Sequence, residues 1–543
     1  MRQKAAICRR VEELTCLRKC SLQNRRIPTL PDSIVCRVHL KYGVFLQKLV
    51  NAALSLIIIS IPAIFAYYLV TFQIEQQMVE FVPQWSDELH YWHQTATFRE
   101  TGFKGGFYTL NEQPAPAPFI HFGPHGPIFP IIMGTASLIS GWDLNSIFFI
   151  NIAWLMFSIS IFILYIKPDS LQLILVGLAV FSFWPAHLYM ATCMRVVFFA
   201  GFAIITAAFF YHAIIKLSLV SRRHLILLFI TISLLSLLKV TNSILFLPYF
   251  LVARNKFGYS LLCSILMAVV MMFISFVASI LIAAPYPHNY VSELQGHFSR
   301  SFQEGAYSLM RHAAENVLRF FDYNHHLLWI MLRAQLLLTI FASCWIWWKK
   351  PKDKLVTQYC ALILITSGVT AVGTILLYDV FDWRDFRLFA PIILMVTLLF
   401  IAQKRVLLVS LILLGNLIVM PAFFDAYNKY MPTAFPEEQT VSTIETFSNE
   451  IAPVIKYDKG GSGWDNTLLA PVSIATRRQI LGVPAGIGIS VFFSPYDLGE
   501  VKSRYLLLDK KNYSILIKWV PLELKASTSI GDLYVNRSGK ADN

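Results

Sequence analysis

The sequence predicts a mainly helical, polytopic membrane protein of about eleven transmembrane spans, ending in a small extracytoplasmic α/β domain. Three observations predict it. Of 543 residues, 56% are hydrophobic and 14% charged, with a mean hydropathy of +0.57. That is more apolar surface than a soluble core absorbs. Runs of roughly 20 apolar residues recur along the chain. When these are threaded back and forth, the Lys and Arg clusters between them fall on one side, which is expected to be the cytoplasm.

The first 48 residues carry eleven Lys or Arg against three acids and supply +8 of the formal +14 net charge. They read as a basic cytoplasmic arm, retained because it lacks the short apolar core and cleavage site of a signal peptide. Anionic lipid head groups are its natural partner. With few aromatics and a membrane domain behind it, the arm gives no support to a nucleic-acid role. Residues 49–424 read as the membrane domain. Spans are expected over 50–72, 143–166, 170–191, 195–217, 257–284, 326–348 and 355–377, with shorter ones over 388–403 and 406–424. Between Arg222-Arg223 and Arg254 the apolar run is broken near Lys239-Val-Thr-Asn242, so two short helices are expected to cross and return. An odd number of crossings puts the C-terminus outside, with outer loops over 73–142 and 285–325.

Residues 425–543 change composition and read as a soluble domain. Strands are expected over 504–508 and 513–520, with glycine turns at Lys459-Gly-Gly-Ser-Gly463 and Gly482 to Gly488. These glycines match neither phosphate-loop pattern and read as ordinary turns. Four of the eight cysteines, Cys8, Cys16, Cys20 and Cys36, lie in the arm. The others, Cys193, Cys263, Cys344 and Cys360, lie in or near spans, so no disulfide staples the tail. Metal binding by the arm cysteines is disfavoured by their loose spacing.

Chemistry is expected in the outer segments. Phe81-Val-Pro-Gln-Trp-Ser-Asp-Glu-Leu-His-Tyr-Trp92 places Asp87 and Glu88 just beyond the first span, where carboxylates are expensive to hold. Pro83 and Ser86 or Asp87 fit a helix start, and Trp85, Leu89 and Trp92 then share one face. The predicted element is an interfacial helix with Asp87 and Tyr91 one turn apart, facing water or a lipid head group. A solvated acidic pair is the plain alternative. Further on, His121-Phe-Gly-Pro-His-Gly-Pro-Ile-Phe-Pro130 leads into an apolar helix to about Leu138, too short to span. Asp382-Trp-Arg-Asp-Phe-Arg-Leu-Phe-Ala-Pro391 precedes a late span.

Taken in order, the acidic pair with Tyr91, the His/Pro loop and the Arg-aromatic stretch resemble the GT-C fold. These integral-membrane glycosyltransferases use polyprenyl-phosphate-linked sugars, as do protein O-mannosyltransferases and the aminoarabinose transferases of lipid A. The resemblance covers nearly the whole chain through short motifs. The loop departs from the His-Pro-Pro and Lys-Pro-Pro of those groups, leaving both His121 and His125 as candidates for its role. The Trp-Trp-Asp signature of oligosaccharyltransferases is missing, since the tail offers only Gly463-Trp-Asp-Asn466.

The resemblance implies a membrane glycosyltransferase, of inverting type, with Asp87 as general base and Glu88 orienting substrate or pairing with a basic residue. A phosphate leaving group departs with its charge accommodated, so one carboxylate suffices to take the acceptor proton. Arg384 and Arg387 are candidates to hold that phosphate, Arg195 is a second and Lys239 a weaker third. Each has a structural alternative: the arginines can pair with Asp382 and Asp385, the histidines with backbone freed by proline, and Lys239 can snorkel. The implied partners are a polyprenyl-phosphate-sugar donor, a lipid, glycan or protein acceptor, and membrane lipids. No obligatory cofactor is expected; a divalent metal on Asp87, Glu88, His90 and His93, or at Asp322 with Asn324-His-His326, is the disfavoured alternative. The implied location is a bacterial inner membrane with the site facing the periplasm, or the ER membrane in a eukaryote. A transporter or flippase of lipid-linked saccharides is the alternative function, and predicts a polar path or internal repeat that the sequence does not show. An assembly subunit without an active site is a third.

Overall fold

The computed structural model describes residues 30–538, except 79–80, 105–108, 114–125, 216–220, 283–289, 323–325, 350–353, 378–386 and 433–437. The chain divides into two compact units, Met1–Ile57 and Ile58–Asn543. Helix α1, Leu30–Tyr68, begins inside the segment read as an arm and ends in a π-helical turn, Leu69–Gln73.

Beyond it, α2 (Ser86–Thr101) and α3 (Ile128–Ser140) precede the apolar helices. These are α4 (Ser146–Ile166), α5 (Ser170–Ser182), α6 (Trp184–Leu188), α7 (Val196–Ile215), α8 (Arg222–Leu238), α9 (Phe246–Phe257) and α10 (Leu261–Ile282). A helical pair follows, α11 (Tyr290–Arg300) and α12 (Phe302–Phe321). Then come α13 (Leu327–Trp348), α14 (Lys354–Leu377), α15 (Ala390–Ala402), α16 (Val406–Ile418) and α17 (Met420–Tyr430).

Among the described residues five helices are long and apolar enough to cross a bilayer: Phe45–Gln73 of α1, then α4, Val196–Ile214 of α7, α10 and α13. The pair α16 and α17, bent by 44°, counts as a sixth if the two form one broken span. The expected span over 355–377 is the continuous helix α14, whereas those over 170–191, 225–253 and 388–403 correspond to shorter or broken helices. The run over 170–191 is divided because α5 stops at Ser182 and Pro185 enters the first turn of α6. The expected break at Lys239 is present: α8 ends there and a 3-10 turn, Val240–Leu245, leads into α9.

Local chemistry fixes several ends. Asp169 caps α5 by accepting from the Gln172 N–H, and its own N–H donates to the Gln172 side chain. The Gln172 amide also donates to the carbonyls of Ile401 and Ala402 at the end of α15, and Lys404 pairs with Asp169. Helices α4 and α7 approach closely at Gly201, where an added Cβ would lie 2.0 Å from the Trp154 indole nitrogen, which donates to the Phe198 carbonyl.

After α18 (Glu438–Ile451) the chain builds a six-stranded sheet. Its strands are β1 (Thr109–Leu110), β2 (Thr467–Pro471), β3 (Gly488–Phe492), β4 (Tyr505–Leu508), β5 (Leu522–Ser527) and β6 (Asp532–Asn536), in the order β1-β3-β2-β4-β6-β5. β1, β3, β2 and β4 are parallel; β6 runs antiparallel to β4 and β5. Two short helices, α19 (Val472–Ala475) and α20 (Lys510–Leu516), complete it, and Leu469, Phe492, Leu506, Leu508, Leu516 and Tyr534 form its core.

Two sequence expectations are corrected here. The run over 513–520 is not a strand: Asp509 accepts from the Asn512 N–H and starts α20, which buries Leu516. The sheet is also not drawn from the tail alone, because β1 comes from the loop after the first span.

Candidate active site

Helix α2 organises the candidate site. Its start follows from Glu88, whose carboxylate reaches back to accept from the N–H groups of Gln84 (3.0 Å) and Trp85 (3.2 Å). Its other oxygen accepts from the Cys193 N–H at 2.6 Å. Glu88 is fully buried, and burial pushes its pKa up to about 7 against the opposing pull of these hydrogen bonds and of Arg478. The residue therefore serves the backbone: it fastens the entry of α2 to the loop that carries Arg195. Asp87, its neighbour in sequence, lies on the exposed side of the helix.

The helix is buried around most of its circumference, unlike the half-exposed interfacial helix expected. Leu89 and Trp92 are buried, and so are His93, Thr95, Thr97 and Tyr91 (3% exposed), which was expected to face water or a lipid head group. The reason is that α2 is packed from more than one direction. The Trp92 indole donates to the Asp143 carbonyl and the Trp142 indole to the Trp92 carbonyl. On the tail side, the neutral His93 ring donates to the Val483 carbonyl at 2.9 Å, and Gly486 N–H donates to the Thr97 hydroxyl. Burial lowers the His93 pKa to about 4, so the ring is neutral at physiological pH. Close packing against α3 depends on Gly134, where an added Cβ would lie 2.7 Å from Phe98.

Two of the distant candidates act on Tyr91. The Arg195 guanidinium lies over its ring, 5.2 Å from the centroid. Burial pushes the Tyr91 hydroxyl well above its ordinary range, and the charges of Arg195, Asp87 and Arg387 all act on it. Thus the Arg195 segment packs on the first turns of α2, with Arg387 within electrostatic reach of Tyr91. Arg195 also donates to the Leu238 carbonyl at 2.8 Å, which sets it beside the break at Lys239. Arg387 is half-buried just before α15. His121, His125 and Arg384 lie outside the described residues, as do Asp382 and Asp385.

Sequence reasoning missed several members of this assembly. Arg478, from the tail, donates to the Gln84 side chain and acts on Glu88. Cys193 matters through its backbone, which no sequence pattern reveals. Glu112, from the first outer loop, is buried and accepts from the Ser503 N–H and hydroxyl and from the Lys502 N–H. Its proximity in sequence to the His/Pro loop was the only available signal. Among the described residues no three His, Cys, Asp or Glu side chains gather as a metal site.

No known protein family and no curated protein matches the sequence. Solved structures similar to the chain include the oligosaccharyltransferase of Archaeoglobus fulgidus in complex with Zn and sulfate. It is 13% identical, with 85% of this chain and 69% of that chain covered, at a TM-score of 0.48. The same organism's AglB with an inhibitory peptide and dolichol-phosphate is 12% identical, with 90% and 75% covered, at 0.47. ArnT from Cupriavidus metallidurans bound to undecaprenyl phosphate is 12% identical, with 91% and 99% covered, at 0.43. The likeness is one of architecture.

Proposed function

We propose that the chain is a membrane glycosyltransferase that moves a sugar from a polyprenyl-phosphate donor to a lipid, glycan or protein acceptor. The observation that carries this reading is the Arg195 guanidinium over the ring of Tyr91, one turn from the exposed acid Asp87, with Arg387 within electrostatic reach. An acid beside fixed cations at a membrane boundary suits a displacement in which charge leaves as phosphate. Asp87 takes the proton of the acceptor hydroxyl as its oxygen bonds to the sugar C1. The C1–O bond to phosphate breaks, and the polyprenyl phosphate leaves with the electron pair. Arg195 and Arg387 receive that charge, joined by Arg384 and by the weaker candidate Lys239. Neutral Tyr91 holds Arg195 by its ring and can donate its hydroxyl to the phosphate or sugar. Glu88 positions Asp87 and the Arg195 loop. His121 or His125 is assigned to substrate binding, and the tail to acceptor choice. The reaction is read as inverting, because a single base opposite the leaving group suffices.

The test does not require the acceptor. Lipids are extracted from cells carrying no gene, the wild-type gene or Asp87→Asn at equal expression, and polyprenyl-phosphate sugars are quantified by mass spectrometry. Accumulation of one donor in both null and mutant cells is expected, and its mass names the sugar. A mutant that matches wild type while the null accumulates donor would overturn the role of Asp87. No accumulation in either would move the assignment to a transporter or subunit.

A further inference from the structure

Helix α12 divides its surface into three sectors. At about 100° per residue, Tyr307, Met310, Ala314, Val317, Leu318 and Phe321 fall within a sector of roughly 100° and form a stripe about 21 Å long. All six are exposed: Tyr307 by 64%, Met310 by 65%, Leu318 by 73% and Phe321 by 65%. Beside the stripe lies a charged sector, Glu304, Arg311, Glu315 and Arg319, in which Arg311 pairs with Glu315 at 3.0 Å. The third sector faces protein, with Gly305, Asn316 and Phe320 buried.

The rotation of the helix is fixed, so the stripe cannot turn inward. Asn316 donates to the Ile375 carbonyl at the end of α14 (2.9 Å). Arg333, buried in α13, donates to the Phe320 carbonyl at 2.7 Å and to that of Asp322. At Gly305 an added Cβ would meet Phe298 at 2.3 Å, so α11 closes tightly on the same side. Six residues after Phe321, Leu327 opens the spanning helix α13 and is itself 46% exposed. The stripe thus ends within six residues of a helix long and apolar enough to cross a bilayer.

We propose that α12 lies in the plane of one leaflet, its stripe immersed among the acyl chains of bulk bilayer lipid and its charged sector at the head groups. The exposed apolar stripe, next in the chain to a helix long and apolar enough to span, selects bilayer lipid as the occupant. The test needs no catalysis, so it stands or falls separately from the transferase reading. The full chain is reconstituted in phosphatidylcholine vesicles containing a lipid with a diazirine on its acyl chain, illuminated, and mapped by peptide mass spectrometry. Lipid adducts are expected at Met310, Leu318 and Phe321 and absent from Glu304 and Glu315. In Met310→Glu/Leu318→Glu protein, adducts at Tyr307 and Phe321 should be lost while those on α13 persist, which also certifies the fold. Adducts on α13 with none on α12, or equal labelling of the stripe and the charged sector, would overturn the proposal.

Discussion

Adjacent carboxylates can have opposite fates. Asp87 is exposed and Glu88 buried because successive helical residues differ by about 100° in direction, and only Glu88 points at the orphan N–H groups of its own helix start and of Cys193. Asp87→Asn should therefore lower kcat by about 10²–10⁴-fold, the range of general-base catalysis, with little change in donor KM or in thermal unfolding. Equal loss of donor binding would indicate a binding role instead. Glu88 should be read out by stability. Its folded pKa, raised to about 7, lies above the unfolded value, so the folded state binds the extra proton between about pH 4.5 and 7. The stability this contributes is complete below pH 4.5 and lost as pH rises through 7, by about 3 kcal/mol at most. In detergent, the Tm of wild type relative to Glu88→Gln should fall between pH 5 and 8; a pH-independent gap would contradict this.

Among elements, β1 is only two residues long, yet it ties the first outer loop to the tail. It pairs in parallel with β3, the Thr109 and Ser490 hydroxyls share a hydrogen bond of 2.6 Å, and the Asn111 N–H donates to the Val491 carbonyl at 2.7 Å. Just beyond, Glu112 engages Ser503 and Lys502. Glu112→Ala leaves buried donors without their acceptor, at a cost of about 1–3 kcal/mol. Limited proteolysis of the variant should cut within residues 102–127 faster than in wild type, while the apolar helices stay intact. Unchanged cleavage would mean that β1 pairing alone holds the loop. The short length of β1 is why it was not legible: two residues carry no alternation, and its partner lies hundreds of positions away.

For the whole molecule, the decisive element for topology is the pair α8 and α9, broken at Lys239. On the eleven crossings expected from the sequence, two there make the total odd and put the termini on opposite faces; one crossing would put both on the same face. Reporter fusions at the two ends, a phosphatase active only outside and a fluorescent protein that matures only inside, should give opposite answers. Agreement between the ends would revise the count and invert every assignment after residue 222. The shortness of α5 and α15, at 13 residues each, shows why counting apolar runs is not counting spans. Hydropathy registers a continuous apolar stretch, whereas Pro185 interrupts the helix inside it.

The sequence by itself determined the class of the molecule, its apolar helices, the break at Lys239 and the short helix after the His/Pro loop, because each depends on neighbours in the chain; the cap expected at Ser86 or Asp87 is instead supplied by Glu88 reaching back to the N–H groups of Gln84 and Trp85. Hydrophobic runs, caps and prolines act within a few residues and can be read there. It also nominated Asp87, Arg195 and Arg387, but not that all three act on Tyr91. Only the tertiary structure decided that Glu88 is buried, that Arg195 stacks on Tyr91, that His93 meets the tail, and that the sheet borrows a strand from the first loop. Those outcomes rest on desolvation and on backbone partners brought together by folding, quantities that no local window of sequence contains.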